Sequence, residues 1–528
     1  MRFLRLLWLL PLLAAGAPAQ KAASLTEEER IIHALSRLAF GPRPGQIAEV
    51  KKQGLEAWIA AQLEPSRIPD GPLRSRLSEY PALRMTPKEL ASGGSSQKAR
   101  RQRRRNARRQ LEETVVLRAA ESRRQLLEVL VDFWRNHFNV DVAKQPVDLV
   151  AIHYEEAVLR RHALGRFEDL LMATARHPAM LIYLDNHLSR RRPTRSEINA
   201  LKNRVRRQTG SKERAAQRAA IAEQTGLNEN YARELMELHT LGVDNGYTQK
   251  DVIEVARAFT GWTIDRSAGP DWFVFREDMH ESGLKQLMGR DLPLGRREGG
   301  IIEGETIIKR LARHKNTSEF IARKLCRRLV ADDPPKAVVQ KAAAVFRRTG
   351  GDIRAVVQAI VTHPDFFSEA AWQTKFKTPF EFVISALRAT NARIDEPRSV
   401  VKAIADLGQP VYNCEDPTGY SDAAEAWRDP GVMALRWSFA MRLVEGRIKG
   451  VSIPAAFYDG LPQDLLKVPE ALARRILPQG MGRETSRVLE RVLFREARKA
   501  GAPEKINRER LCRMLVGILL GSPEFQQQ

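Results

Sequence analysis

A mostly α fold, a multi-helix globular body with one small β-hairpin excursion near residues 262–289, is what this sequence predicts, and three observations predict it. Apolar residues recur with a period near 3.6 between helix caps and glycine stops. Residues that favour strands gather in one stretch only. A hydrophobic content of 43% over 528 residues is ample for a packed core.

The elements follow in order. Thr26 and Glu29 make a capping box ahead of Ile31, Ile32, Leu35 and Leu38, and Gly41 stands where a helix ends. Asn228 caps a second run with Leu235, Met236 and Leu238 inward, ending at Gly242. Thr248 and Asp251 open a third, with Val252, Val255, Ala256 and Phe259 on one face and a stop at Gly261. Trp262-Thr263-Ile264 and Trp272-Phe273-Val274-Phe275, separated by Gly, Pro and Asp, read as the hairpin.

One pattern repeats. Gly165-x-Phe167-x-x-Leu170-Leu171 leads to His177-Pro178, and Gly351-x-Ile353-x-x-Val356-Val357 leads to His363-Pro364 at the same spacing. Gly521-Ser522-Pro523 closes the last helix similarly. Each helix stops one residue before a proline, because proline crowds its predecessor out of the helical region. A reused helical unit is implied, and His177 and His363 read as C-terminal residues favoured by the helix dipole.

Arg2 and Arg5, the apolar run Leu6 to Ala15, and Ala17-Pro18-Ala19 have the form of a cleavable export signal. No later stretch reaches the roughly 20 apolar residues of a membrane span. The expected organisation is a signal peptide at 1–19, a helical domain at 20–445 with basic insertions near 98–124 and 190–218, and a C-terminal helical extension at 446–528. The expected location is the periplasm or the exterior. Cys326, Cys414 and Cys512 lie far apart without a C-x-x-C pair, so they read as small buried residues rather than a zinc or redox motif.

The net charge of +23 is concentrated. Between Lys98 and Arg124 eleven Lys or Arg meet three Glu, a local +8; between Arg190 and Arg218 eleven meet two Glu, a local +9. One reading is a pair of solvated insertions. The other is a docking patch for anionic lipid headgroups, an acidic envelope polymer or extracellular nucleic acid, with Arg101, Arg103, Arg104, Arg105, Arg190, Arg191 and Arg192 as anion-binding residues. Neither run contains an aromatic residue, so base stacking has no support.

The densest polar constellation runs from Asn228 to Gly242. On a helix Glu229, Arg233 and Glu237 stack at i, i+4 steps, and Asn230 lies over Glu234. A second cluster is Phe133-Trp134-Arg135-Asn136-His137-Phe138-Asn139, and a third is Asp278-Met279-His280-Glu281 with Lys285. Together with Tyr247-Thr248-Gln249-Lys250-Asp251-Val252, Phe320-Ile321-Ala322-Arg323-Lys324-Leu325, Lys375-Phe376-Lys377-Thr378-Pro379-Phe380-Glu381-Phe382 and Asp416-Pro417-Thr418-Gly419-Tyr420, these stretches resemble the bacterial family known as domain of unknown function 1800, from about His33 to about Arg442. The resemblance implies an exported protein, often encoded beside a second secreted family that looks like sulfatases, with no reaction assigned. Glu281 departs from it, standing where an Asp commonly follows the His.

No H-E-x-x-H, nucleophile elbow, phosphate loop or dinucleotide fingerprint is present. Glu237-Leu238-His239 puts its carboxylate and imidazole on different helix faces, and spacing alone assigns no metal or cofactor. A metal held by His137, His239, His280 and Glu234 would have to be assembled from distant segments. Two functional readings stay open. One is an exported interaction or scaffold protein with a buried polar network of Asn136, Asn228, Glu229, Asn230, Glu237, Asp251 and Lys285, partnered by an anionic polymer, lipid headgroups or a sulfatase-like secreted protein. The alternative is an extracytoplasmic enzyme whose pocket joins His137, Arg233, Glu234, His239 and His280.

Overall fold

In the computed structural model, which describes residues 25–224, 226–293, 300–501 and 505–528, Thr26 opens helix α1 (Glu27–Arg37) with the anticipated capping box. Its N–H donates to Glu29 Oε2 at 2.8 Å and its hydroxyl accepts from the Glu29 N–H at 3.3 Å. Two backbone donors that the helix start would strand are thereby satisfied. Gly41, at φ +85°, closes the far end by donating to Leu35 O at 3.1 Å. The export signal expected at 1–19 lies outside the described residues.

Helix α2 (Gln97–Glu121) carries the first basic run on its exposed N-terminal half. Every side chain from Gln110 to Ala120 is buried, as expected of a helix surrounded by others. Buried charge needs a partner there: Arg108 meets Glu112 at 2.7 Å, Arg109 meets Glu113 at 3.0 Å, and Arg118 pairs with Glu156. A short turn leads into α3 (Gln125–His137).

The repeated pattern has a structural counterpart. Phe167 N–H donates to Gly351 O at 2.8 Å while Ile353 N–H donates to Gly165 O at 2.9 Å, an antiparallel bridge centred on Arg166 and Asp352. Helix α4 (Phe167–Arg176) leaves one side of this bridge. The histidine that follows it is not a terminal cation. His177 Nδ1 accepts from the Ala179 N–H at 3.1 Å, and His363 Nδ1 from the Asp365 N–H at 3.2 Å, so each imidazole N-caps the next turn. An uncharged ring is what that role requires, and burial holds His177 well below the ordinary histidine pKa.

The second basic run forms a helical hairpin, α5 (Arg195–Thr209) and α6 (Lys212–Gln224), turning at Gly210 with φ +69°. Only Ile198 of α5 is buried. Helices α7 (Asn230–Glu237) and α8 (Gln249–Ala258) follow, then the antiparallel strands β1 (Trp262–Ile264) and β2 (Phe273–Phe275), in register Trp262 with Phe275 and Ile264 with Phe273. Gly261 is required before the hairpin: its φ is +81°, and a Cβ would sit 2.5 Å from Arg276 O. Trp262 is fully buried, so the excursion is anchored in the helical body. A second small pair, β3 (Gln286–Leu287) with β4 (Arg290–Asp291), ends the β region.

Helices α9 (Ile301–Ala312) and α10 (Lys315–Leu329) return to the body, and α11 (Ile353–Val361) leaves the other side of the Gly165–Gly351 bridge. Then come α12 (Pro379–Ala389), α13 (Pro430–Val444) and α14 (Arg508–Gly521). One further strand pair, Arg393–Ile394 with Val451–Ser452, carried no sequence signal. One large apolar cluster runs from Ile31 to Phe525, and a small second one joins Phe376, Ala424 and Trp427. Among the described residues no helix is long and apolar enough to cross a membrane.

Candidate functional site

The end of α3 carries a heavily charged interior. Arg135 lies 3.0 Å from Asp132 and 3.1 Å from Glu155, and Tyr412 donates to Glu155 at 2.6 Å. Arg328, from α10, meets Asp132 at 3.2 Å and also pairs with Glu381 of α12. Burial pushes Glu155 up, but Arg135, Arg160 and the Tyr412 hydroxyl more than offset it and hold the carboxyl below its usual range. For Asp132 burial wins: its pKa is raised despite Arg328 and Arg135, with Glu381 and Asp422 adding to the rise.

This network walls a narrow cleft of about 50 Å³, lined by Asp132, Asn136, Arg328, Tyr412, Tyr420 and Asp422 among others. Its size suits one small polar group rather than an extended ligand. Asn136 clasps the loop at its rim, donating to Tyr420 O and accepting from the Tyr420 N–H, both at 2.7 Å. The clasp needs Gly419, at φ +75°, where a Cβ would lie 2.5 Å from both Asn136 oxygens. Asn139 ties the same loop through Cys414 O and Asp416 O at 2.9 Å.

His137, next to Asn136, places Nε2 3.2 Å from His239 O, and the two rings lie 6.2 Å apart. Each residue is 2% exposed, and neither Nδ1 has a hydrogen-bond partner. Burial, then the charge of Lys324, drives both rings toward the neutral form, His239 to about 3. Lys324 sits one turn before Arg328 on α10, against the Phe320 ring. Among the described residues its ammonium has no hydrogen bond or ion pair, and burial lowers its pKa.

The other expected site residues lie elsewhere. His280 Nδ1 is 2.8 Å from Thr260 O and Nε2 is 3.2 Å from Glu303, which also receives Lys285 Nζ at 2.7 Å. Burial pushes Glu303 up, but His280 and Lys285 outweigh it and hold the carboxyl below its usual range. Glu303 belongs to α9, which no motif had singled out. Gly300 roofs the group, since a Cβ there would overlap the His280 ring. Among the described residues none of these partners shares a hydrogen bond or ion pair with His137 or His239.

Arg233 belongs to a partly exposed ladder, 3.6 Å from Glu229 and 3.5 Å from Glu237, and donates to Gln249 at 2.9 Å. Glu234 beside it is raised by burial and by Glu237 and Asp416. Asn228 accepts from the Asn230 N–H at 2.9 Å, and Asp251 is occupied capping α8 and accepting from the Met288 N–H at 2.7 Å. Both are structural contacts. Among the described residues no cluster of three metal-ligating side chains occurs. The three cysteines are free, with Cys326 and Cys512 buried and Cys414 half-buried.

The basic residues divide. Arg104 is tied to Asp148 at 3.4 Å, Arg103 to Gly94 O at 2.9 Å, and Arg191 to Glu197 and to Asp278 O at 3.0 Å. Arg101, Arg105 and Arg192 are exposed, and Arg190 is half-buried. The larger free surface is the α5–α6 hairpin. Its eight Lys and Arg make no ion pair among the described residues, while Glu197 is held by Arg191 and Glu213 by Ser211 at 2.9 Å.

The fold and site therefore define an α-helical protein built around a charged interior cleft, with a basic hairpin projecting from it. The chain belongs to the family described as protein of unknown function (DUF1800), which matches residues 33–527 and so extends beyond the resemblance at Arg442. No curated protein and no solved structure matches it.

Proposed function

We propose that this chain is an exported interaction protein that docks on an acidic polymer of the cell envelope through the α5–α6 hairpin. The observation that carries the reading is the set of eight basic side chains on two exposed helices without a carboxylate partner among the described residues. Like charges so arranged repel one another, and a polyanion relieves the repulsion while releasing its own counterions. A polymer is favoured over lipid headgroups because, among the described residues, no large apolar side chain is exposed on the hairpin to enter a bilayer. Residues 2–19, with their basic start, apolar run and small-residue end, support export to the periplasm or beyond. A sulfatase-like secreted protein is a second partner in keeping with the family resemblance.

An enzyme joining all five of His137, Arg233, Glu234, His239 and His280 is less well supported, since His280 is engaged by Glu303 and Arg233 by its ladder. The test is binding of a soluble polyuronate, with vesicles of mixed neutral and anionic phospholipid as comparison. Replacing Lys202, Arg206, Arg207 and Arg214 with Gln should weaken polyuronate binding at least about tenfold and flatten its salt dependence. Undiminished binding by that variant, or binding to the vesicles alone, overturns the proposal.

A further inference from the structure

Between the β3–β4 turn and the junction of α9 with α10 lies a cavity of about 550 Å³. Among the described residues its titratable lining is wholly basic: Arg290, Lys309, Arg310, Arg313, His314 and Lys315. Carboxylates outside the cavity answer three of these, Glu168 meeting Arg313 at 2.7 Å, Glu305 meeting Lys309 at 3.9 Å and Glu319 meeting Lys315 at 3.9 Å. The last two are long and shared, because Arg176 also holds Glu305 and Arg347 also reaches Glu319. Arg290 and Arg310 have no ion pair among the described residues. Arg310 instead crosses to β4, donating to Arg290 O at 3.2 Å and to Asp291 O at 2.8 Å. The Asp291 carboxylate is not part of the lining and accepts from Gln286 at 2.8 Å. Carbonyls satisfy hydrogen bonds but carry no net charge, so two guanidiniums line one cavity without a carboxylate.

A further donor and an apolar wall complete the lining. His314 Nδ1 accepts from the Asn316 N–H at 3.2 Å, so the neutral ring carries its proton on Nε2. Burial, then the charge of Arg290, favours that neutral ring. Leu287, Met288 and Leu311 supply the apolar wall. The charged lining calls for anionic oxygens, and two open guanidiniums match two negative charges. Their planar forks fit the paired oxygens of a phosphate. A cavity of this size holds a small organic molecule rather than a bare ion, and the apolar wall gains by covering hydrocarbon.

We propose that this cavity binds a phosphate monoester of an apolar alcohol or phenol, its head group held by Arg290 and Arg310 and its hydrocarbon against Leu287, Met288 and Leu311. Such a monoester carries close to two negative charges above its second pKa of about 6. Lys309 and Lys315 draw the dianion to the cavity mouth, and His314 Nε2 donates to one of its oxygens. The cavity shares no residue with the α5–α6 hairpin, so the inference stands if that docking role fails.

The full chain is titrated calorimetrically with phenyl phosphate, inorganic phosphate and benzyl alcohol, while the histidine ring nitrogens are followed by NMR. Phenyl phosphate is expected to bind at least about tenfold more tightly than either of the others, since each of those offers only one half of the ligand, and to shift the His314 ring resonances. Arg290→Gln should lose at least about tenfold in phenyl phosphate affinity. The Arg290 side chain makes no hydrogen bond or ion pair among the described residues, so that variant should melt with the parent. Arg498→Gln removes the same charge from an exposed position on the helix Arg483–Ala500 and should bind as the parent does. Absent phenyl phosphate binding, equal binding of inorganic phosphate, undiminished binding by the Arg290→Gln protein, or an equal loss in the Arg498→Gln protein overturns the proposal.

Discussion

At the scale of single residues, two substitutions separate support from chemistry. Gly419→Ala puts a methyl group 2.5 Å from the Asn136 oxygens at a left-handed φ. It should cost at least about 2 kcal/mol by denaturant unfolding and release the loop that forms the cleft rim. Glu303→Gln leaves Lys285 buried without its counter-charge, which costs roughly 3 kcal/mol when one partner of a buried pair is removed. Retention of parent stability there would show that the Lys285 contacts with Glu281 O and Gly283 O suffice. Sequence reading found His280 and Lys285 because they stand close together in the chain. It missed Glu303 because that carboxylate arrives from α9, and no local spacing announces a contact made across the fold. Lys324 lay inside a quoted stretch, and its signal was present: Ile321, Leu325 and Arg328 place it at the edge of the buried face of α10.

Among the elements, those specified by near neighbours were the legible ones. The capping boxes at Thr26 and Thr248 and the hairpin between Trp262 and Phe275 each depend on residues a few positions apart. The repeated glycine pattern was visible too, but the bridge that joins its copies is a contact between residues 166 and 352. The histidines after those copies were read for charge when their lone pairs matter. His177→Asn, which keeps a side-chain acceptor, should therefore stay within about 0.5 kcal/mol of the parent, whereas His177→Ala should lose about 1 kcal/mol or more in thermal unfolding. Excision of residues 195–224, with the ends joined by a short Gly-Ser link, removes few buried side chains among the described residues, one Ile and three Ala. It should leave the melting temperature within a few degrees while abolishing polyuronate binding, and a collapse of stability would make the hairpin part of the core.

For the molecule as a whole, buried imidazoles set a direction of pH dependence. Burial lowers the pKa of His33, His137, His177 and His239 in the folded state. The unfolded chain takes up those protons near pH 6.5, so stability is full above that value and falls as the pH drops below it. For His239 the loss continues down to about pH 3, at roughly 1.4 kcal/mol per pH unit. Lys377, pushed down to about 7 by burial, acts in the same sense between about pH 10 and 7. The melting temperature should therefore drop steeply from pH 7 to pH 5, and a His239→Gln variant should show a shallower slope. A flat profile would mean that these rings are already protonated in the fold.

The hairpin turn has a consequence for how the protein ages outside a cell. Gly210 lies between Arg206, Arg207 and Lys212 on an exposed loop tip, which is where a trypsin-like protease gains access. The first cut should therefore fall there and yield two pieces. Because one apolar cluster spans both sides of the cut, from Ile31 to Phe525, the pieces should remain together as a nicked particle that separates only in denaturant.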